Sequence, residues 1–280
     1  VFERAWTYYC LHKGVVVCLN LKPAEIASTI KEVRPTLMCS VPRFWEKVYA
    51  GVNEKIASEK GIKKSLMLDA IRVGKTHNLD YVRLGKRPPL LLHLKYKFYE
   101  KTIYALLKKA IGIENGNFFP VAGAAVPDEI CEFVHAVGIN MIVGYGLTES
   151  CATVSCFVNP GFEIGSVGTI MPDVQVKIGE NDEILLRGKT ITKGYYKKAE
   201  ATAEAIDKEG WFHTGDAGYI KDNQLFLTER IKDLFKTSNG KYVSPQALET
   251  KLSVDRYIDQ IAIIADQRKF VSALIIPQYD

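Results

Sequence analysis

Residues 144–150 read Gly-Tyr-Gly-Leu-Thr-Glu-Ser and follow the apolar run Ile139–Val143. Their types and spacing could do chemistry on a nucleotide. Glycines allow a sharp exit from a strand and let a ligand approach the backbone, and Gly146 stands where that approach would be made. The ring of Tyr145 offers a flat face for a purine base. The Thr148 hydroxyl can donate to a phosphate oxygen, and the Glu149 carboxylate can hold a Mg2+ that touches the same phosphate. Against this stands a plainer reading, a buried strand ending in an ordinary Gly-rich turn, since short glycine motifs recur by chance.

Two later stretches add to the first. Trp211-Phe212-His213-Thr214-Gly215-Asp216 places an acid after a Gly turn, and such an acid can accept from both vicinal hydroxyls of a ribose. Leu227-Thr228-Glu229-Arg230-Ile231-Lys232-Asp233 is followed by Ser238-Asn239-Gly240-Lys241-Tyr242-Val243-Ser244-Pro245. In this order the three stretches resemble the adenylate-forming (AMP-binding) superfamily of acyl-CoA synthetases, luciferases and peptide-synthetase adenylation domains. Phe2-Glu3-Arg4, Val41-Pro42-Arg43 with Glu46-Lys47-Val48-Tyr49, and Gly165-Ser166-Val167-Gly168 narrow the resemblance to the bacterial-type long-chain fatty-acid–CoA ligases. It runs over essentially the whole chain.

The resemblance implies an activity and a set of roles. A fatty acid is activated by ATP to an acyl-adenylate with loss of pyrophosphate, and CoA then takes the acyl group and releases AMP. Tyr145 would pack against adenine beside the small-residue turn at Gly123 and Ala124. Thr148 would bond the α-phosphate, Glu149 would hold Mg2+, and Asp216 would bind the ribose hydroxyls. Arg230 would reach ribose or phosphate from the other side. Lys232 matches a hinge, and Gly240 a loop that leaves room for the pantetheine arm. For Arg230 and Lys232 a surface charge cluster with Glu229 and Asp233 is the competing reading. Two family motifs are missing: the T-S-G-T-T-G-x-P-K phosphate loop, expected ahead of residue 1, and a C-terminal catalytic lysine, expected beyond Asp280. The stretch therefore reads as an internal piece of a ligase with little activity by itself. Rival readings are another acyl- or aryl-adenylating enzyme and a non-catalytic nucleotide-binding remnant. An NAD-binding fold fits poorly, because no G-x-G-x-x-G opens a helix after the first strand.

The elements that would position these residues follow from patterning. The 280 residues are 47% hydrophobic and 25% charged, an ordinary globular balance. Strands are expected at Gly14–Leu21, Thr36–Val41, Phe118–Ala122 and Ile139–Val143. Helices are expected at Pro23–Val33, Pro42–Lys60 and Pro127–Val137. This order argues for a layered α/β domain over 1–159, with Trp6, Trp45 and the nearby tyrosines in its core. Short strands at Val167–Ile170, Val174–Ile178, Glu183–Arg187, Gly218–Lys221 and Gln224–Thr228 make 160–231 a small antiparallel β subdomain. A helix at Ser244–Leu252 and strands at Ile258–Ala265 and Val271–Ile276 make 232–280 the beginning of a mobile α+β C-terminal domain.

Six cysteines without a C-x-x-C pair suggest buried free thiols in a reducing cytoplasm. Cys151 as a catalytic thiol is a weak alternative, with no histidine nearby in sequence. A net charge of +5 points to anionic small molecules or lipid rather than nucleic acid. Between Arg83 and Lys109 lie eight Lys or Arg (Arg83, Lys86, Arg87, Lys95, Lys97, Lys101, Lys108 and Lys109) and one acid, Glu100. At helical spacing with Leu and Phe, they suit a solvated face or a peripheral contact with anionic membrane.

Overall fold

The computed structural model describes residues 2–151, 153–231, 234–236, 242–255, 257–265 and 268–279. Packing divides the chain into two compact units, one of 1–144 with 157–164 and the other of 145–156 with 165–280. That division reflects contacts alone and leaves the expected boundary at 231/232 untouched.

The first unit is helical around a short parallel core. Its helices are α1 (Phe2–His12), α2 (Ile26–Val33), α3 (Pro42–Ser58), α4 (Gly61–Gly74), α5 (Leu90–Tyr99), α6 (Ala105–Ile111) and α7 (Asp128–Ala136). Strand β1 (Phe119–Val121) pairs in parallel with β2 (Met141–Tyr145), joined through α7. Pro42 opens α3, where its missing N–H costs nothing and its fixed φ suits the first turn. Trp45, Phe119, Val134 and Met141 are almost wholly buried, each contributing about 1.5–3 kcal/mol of apolar burial. α4 runs on through a π-helical turn, Lys75–Tyr81, and α5 joins α6 through another, Glu100–Tyr104.

Several expectations need correction here. Gly14–Leu21 forms no strand; Val16, Leu19 and Leu21 are exposed, and no described strand lies alongside to satisfy the backbone. Thr36–Val41 runs parallel to β1 but bridges it only at Leu37–Phe118 and Ser40–Val121. Trp45 is core and Trp6 is half-buried, yet Tyr8 and Tyr9 are exposed. Cys131 is buried, but Cys18 and Cys151 are exposed. Burial pushes the thiols of Cys39 and Cys131 up to about 12, which makes them poor nucleophiles.

The second unit carries β3 (Ser155–Cys156), β4 (Thr169–Ile170), β5 (Val174–Ile178), β6 (Glu183–Gly188), β7 (Phe212–Lys221) and β8 (Gln224–Arg230). They pair antiparallel in the order β3-β4-β8-β7-β6-β5. A short helix, α8 (Ala199–Ala205), lies between β6 and β7. The core holds Tyr145, Val154, Val174, Ile184, Leu186, Phe212 and Leu225. Two further pairs are antiparallel: β9 (Phe235–Lys236) with β10 (Tyr242–Val243), and β11 (Ile258–Ile264) with β12 (Ser272–Pro277). Between them runs α9 (Pro245–Leu252), whose Ser244 N-cap accepts from the Ala247 N–H at 3.5 Å. Among the described residues no helix is long and apolar enough to cross a membrane.

Candidate functional site

Asp216 and Arg230 lie on neighbouring strands rather than in turns. β7 begins earlier than expected, at Phe212, and β8 runs further, to Arg230. The hairpin between them turns on Asp222 and Asn223, both with positive φ (48° and 61°), the backbone of a two-residue turn that matches strand twist. The turn sets the register from Lys221–Gln224 to Gly218–Leu227. A bulge between Ala217 and Gly218 then shifts the pairing by one residue, so that Asp216 faces Arg230 and Ala217 faces Glu229. Without the bulge Glu229 would stand opposite Asp216, a like-charge pair, and the salt bridge would be lost.

Asp216 is 7% exposed, and both of its oxygens have partners. Arg230 Nε donates to Oδ1 at 3.1 Å, and the Tyr145 hydroxyl donates to Oδ2 at 2.7 Å. The Asp216 N–H donates to Thr214 Oγ1 at 3.0 Å, and the Thr214 hydroxyl donates to the Ile184 carbonyl at 2.7 Å. The carboxylate is thus held by two donors, which leaves about half of its lone-pair positions unused by them. Tyr145, the last residue of β2, is buried with its ring in the hydrophobic core. Burial, then the Asp216 charge, push its phenol well above the usual range, so it serves as a donor. Expected as a face for adenine, Tyr145 is seen here holding Asp216.

Thr148 and Glu149 occupy a single 3-10 turn, Thr148–Ser150. Buried Ser150 closes it: its Oγ accepts from the Leu147 N–H at 2.9 Å and donates to the Leu147 carbonyl at 3.1 Å. Thr148 and Gly146 are exposed and Glu149 is half-buried. Glu149 Oε1 accepts from the Tyr195 hydroxyl at 2.9 Å, and the Glu149 carbonyl accepts from the Thr192 N–H at 2.6 Å. Burial, then the Glu149 carboxylate, raise the Tyr195 phenol and keep it protonated. Neither Thr192 nor Tyr195 was legible in the sequence; a tyrosine after Thr-Lys-Gly carries no chemical signature.

Among the described residues no group of three or more His, Cys, Asp or Glu could hold a metal by itself. A single carboxylate with one oxygen committed fits a Mg2+ carried mainly by phosphate oxygens and water. Gly123 and Ala124 lie in an exposed turn of the other unit. A side chain at Gly123 would meet open space, so its φ of +97°, not crowding, is what calls for glycine. Lys232 and Gly240 lie outside the described residues.

The AMP-binding enzyme family matches residues 1–196. The long-chain-fatty-acid–CoA ligase FadD15 of Mycobacterium bovis is 31% identical over 278 residues, covering 98% of this chain and 45% of the relative. The human long-chain-fatty-acid–CoA ligase ACSBG1 is 32% identical over 274 residues, covering 94% of this chain and 37% of the relative. The chain therefore spans less than half the length of these relatives. Two solved structures share the fold. One is the adenylation domain of a carboxylate reductase from Mycobacterium chelonae, with TM-score 0.65, 20% identity, and coverage of 91% of this chain and 36% of that one. The other is the o-succinylbenzoate CoA synthetase of Bacillus subtilis in complex with its acyl-adenylate intermediate, with TM-score 0.65, 18% identity, and coverage of 99% and 49%. On the profile match and the breadth of the sequence likeness, this chain belongs to the AMP-binding enzyme family.

Proposed function

We propose that the protein is an ATP-dependent long-chain fatty-acid–CoA ligase that uses Mg2+, and that this chain supplies the nucleoside side of its site. The observation that carries the reading is the Tyr145–Asp216–Arg230 array, in the same compact unit as the Thr148–Glu149 turn. A fatty-acid carboxylate oxygen attacks the α-phosphorus, and the bond to pyrophosphate breaks with its electron pair leaving on pyrophosphate. The CoA thiolate then attacks the acyl carbon and expels AMP.

Both steps shift negative charge among phosphate oxygens, so the protein contributes chiefly positioning and charge complementarity. Asp216 accepts from the ribose hydroxyls. Arg230 neutralises Asp216 and offers its remaining donors to ribose or phosphate. Thr148 donates to the α-phosphate, and Glu149 would hold Mg2+. Bound Mg2+ would draw charge from the phosphate oxygens as pyrophosphate departs. Gly123 and Ala124 would border adenine. Lys232 would serve as the hinge between 1–231 and 232–280, and Gly240 as part of the loop that admits the pantetheine arm.

The reading extends to a cytoplasmic protein in peripheral contact with anionic membrane, where its substrate partitions. Supporting this, Leu90, Leu91, Leu94 and Phe98 are all exposed on or at the start of α5, beside Lys86, Arg87 and Lys101.

The test has two arms on the full-length protein. Pyrophosphate release should require a fatty acid and favour long chains over aryl acids. A non-hydrolysable acyl-adenylate analogue should bind Asp216→Ala more weakly than wild type by about 1–3 kcal/mol, the cost of stranding a charged hydrogen-bond partner. Equal binding would remove Asp216 from the site, and release driven by aryl or amino acids alone would replace the substrate class.

A further inference from the structure

One loop holds the Thr148–Glu149 turn at two points. The Thr192 N–H donates to the Glu149 carbonyl at 2.6 Å, and three residues on the Tyr195 hydroxyl donates to Glu149 Oε1 at 2.9 Å. The loop is fixed by its own bonds. Thr192 Oγ1 accepts from the Gly194 N–H and donates to the Gly194 carbonyl, each at 3.2 Å. Gly194 has φ +137°, and a Cβ there would sit 2.6 Å from Thr202 Cγ2, so only glycine lets the chain pass this close to α8. The next N–H, that of Tyr195, donates to Thr202 Oγ1 at 2.9 Å, and the Thr202 hydroxyl donates to the Lys198 carbonyl at 2.8 Å. The phenol therefore reaches Glu149 from a loop whose backbone is anchored on both sides of it.

A phenol on one carboxylate oxygen fixes the rotation of the whole group. With Oε1 committed, Oε2 is aimed in one direction, and a cation ligand is pre-oriented rather than free to turn. We propose that Tyr195 is a positioning residue for Glu149, holding Oε1 so that Oε2 is presented to a nucleotide-bound divalent cation; the inference rests on the acyl-adenylation reading above. Tyr195 itself touches neither cation nor nucleotide in this role.

The experiment compares wild type, Tyr195→Phe, Glu149→Gln and the double variant of the full-length protein. Calorimetry with a non-hydrolysable ATP analogue gives the half-saturating Mg2+ concentration, and AMP binding without metal serves as control. Phe keeps the ring and removes only the donor. Tyr195→Phe should raise half-saturating Mg2+ roughly three- to tenfold, the size of an ordinary net hydrogen bond lost from the carboxylate that would hold the cation. AMP affinity should stay within about twofold, since Tyr195 acts through the cation ligand alone. In the Glu149→Gln background the Phe substitution should add nothing. Unchanged Mg2+ dependence in Tyr195→Phe overturns the inference, as does an equal loss of AMP affinity, which would mark a merely structural pin. If Glu149→Gln itself leaves Mg2+ dependence intact, the role given to Glu149 in the proposed function fails, and this inference fails with it.

Discussion

Asp216 shows how one side chain can be both structural and available. Its two partners neutralise and aim it, and while Asp216 is buried, Arg230 is itself about half exposed. A different economy governs His135. It is buried on α7 against Phe162, with ring centroids 4.5 Å apart, and its Nε2 lacks a partner among the described residues. Burial first, then the Arg83 charge, lower its pKa from the ordinary 6.5 to about 4. The folded value lies below the unfolded one, so between them the unfolded chain binds the extra proton. The stability contributed is present above pH 6.5 and lost as pH falls toward about 4, a change on the order of 3 kcal/mol. Denaturant midpoints measured across this window should fall with pH in wild type and fall less in His135→Leu. Parallel curves for the two proteins would show that His135 does not carry the effect.

Among the elements, the β7–β8 hairpin decides most about the site. Turn and bulge together put Arg230, not Glu229, across from Asp216. Gly218 flanks the bulge, and a Cβ there would stand 2.1 Å from the Phe226 carbonyl oxygen on β8. Backbone cannot yield as a flexible side chain can, so the strands would have to part at the bulge. Gly218→Ala should therefore cost about 1–3 kcal/mol of stability. It should also weaken acyl-adenylate binding at temperatures where the variant is still folded. Normal binding in a destabilised variant would mean that the Asp216–Arg230 register survives without the glycine.

For the protein as a body in the cell, charge matters through where it is free. Of the eight basic residues from Arg83 to Lys109, Arg83 donates to the Leu79 and Phe162 carbonyls, and Lys108 donates to that of Gly138. Lys95 pairs with Asp69, and Lys97 with Glu100. Lys86, Arg87, Lys101 and Lys109 are exposed, and with Leu94 and Phe98 they are the residues to test for membrane contact. Co-sedimentation with vesicles should increase with the fraction of anionic lipid, and Leu94→Glu with Phe98→Glu should reduce it severalfold by adding like charge and removing apolar insertion. Binding that ignores anionic lipid would discard the contact.

The sequence by itself determined the family, the fold class, and the residue types at Tyr145, Thr148, Glu149, Asp216 and Arg230, because these follow from ordered local motifs. It also placed α3, α7, α9 and the strands β5, β6 and β8 closely, and β7 by its C-terminal part alone, since their patterning and their Pro and Asn-containing turns are local signals. It failed at Gly14–Leu21, where an apolar, β-branched run had the composition of a strand but no described strand lies alongside to take its hydrogen bonds, and it overstated Thr36–Val41, which lies parallel to β1 yet pairs with that segment at isolated bridges. Tertiary structure alone decided that Tyr145 holds Asp216, that a one-residue bulge brings Arg230 to the same carboxylate, and that Tyr195 reaches Glu149 across 46 positions of chain. Each of these depends on register or on long-range approach, quantities set by the packing of distant segments and carried by no short stretch of residues.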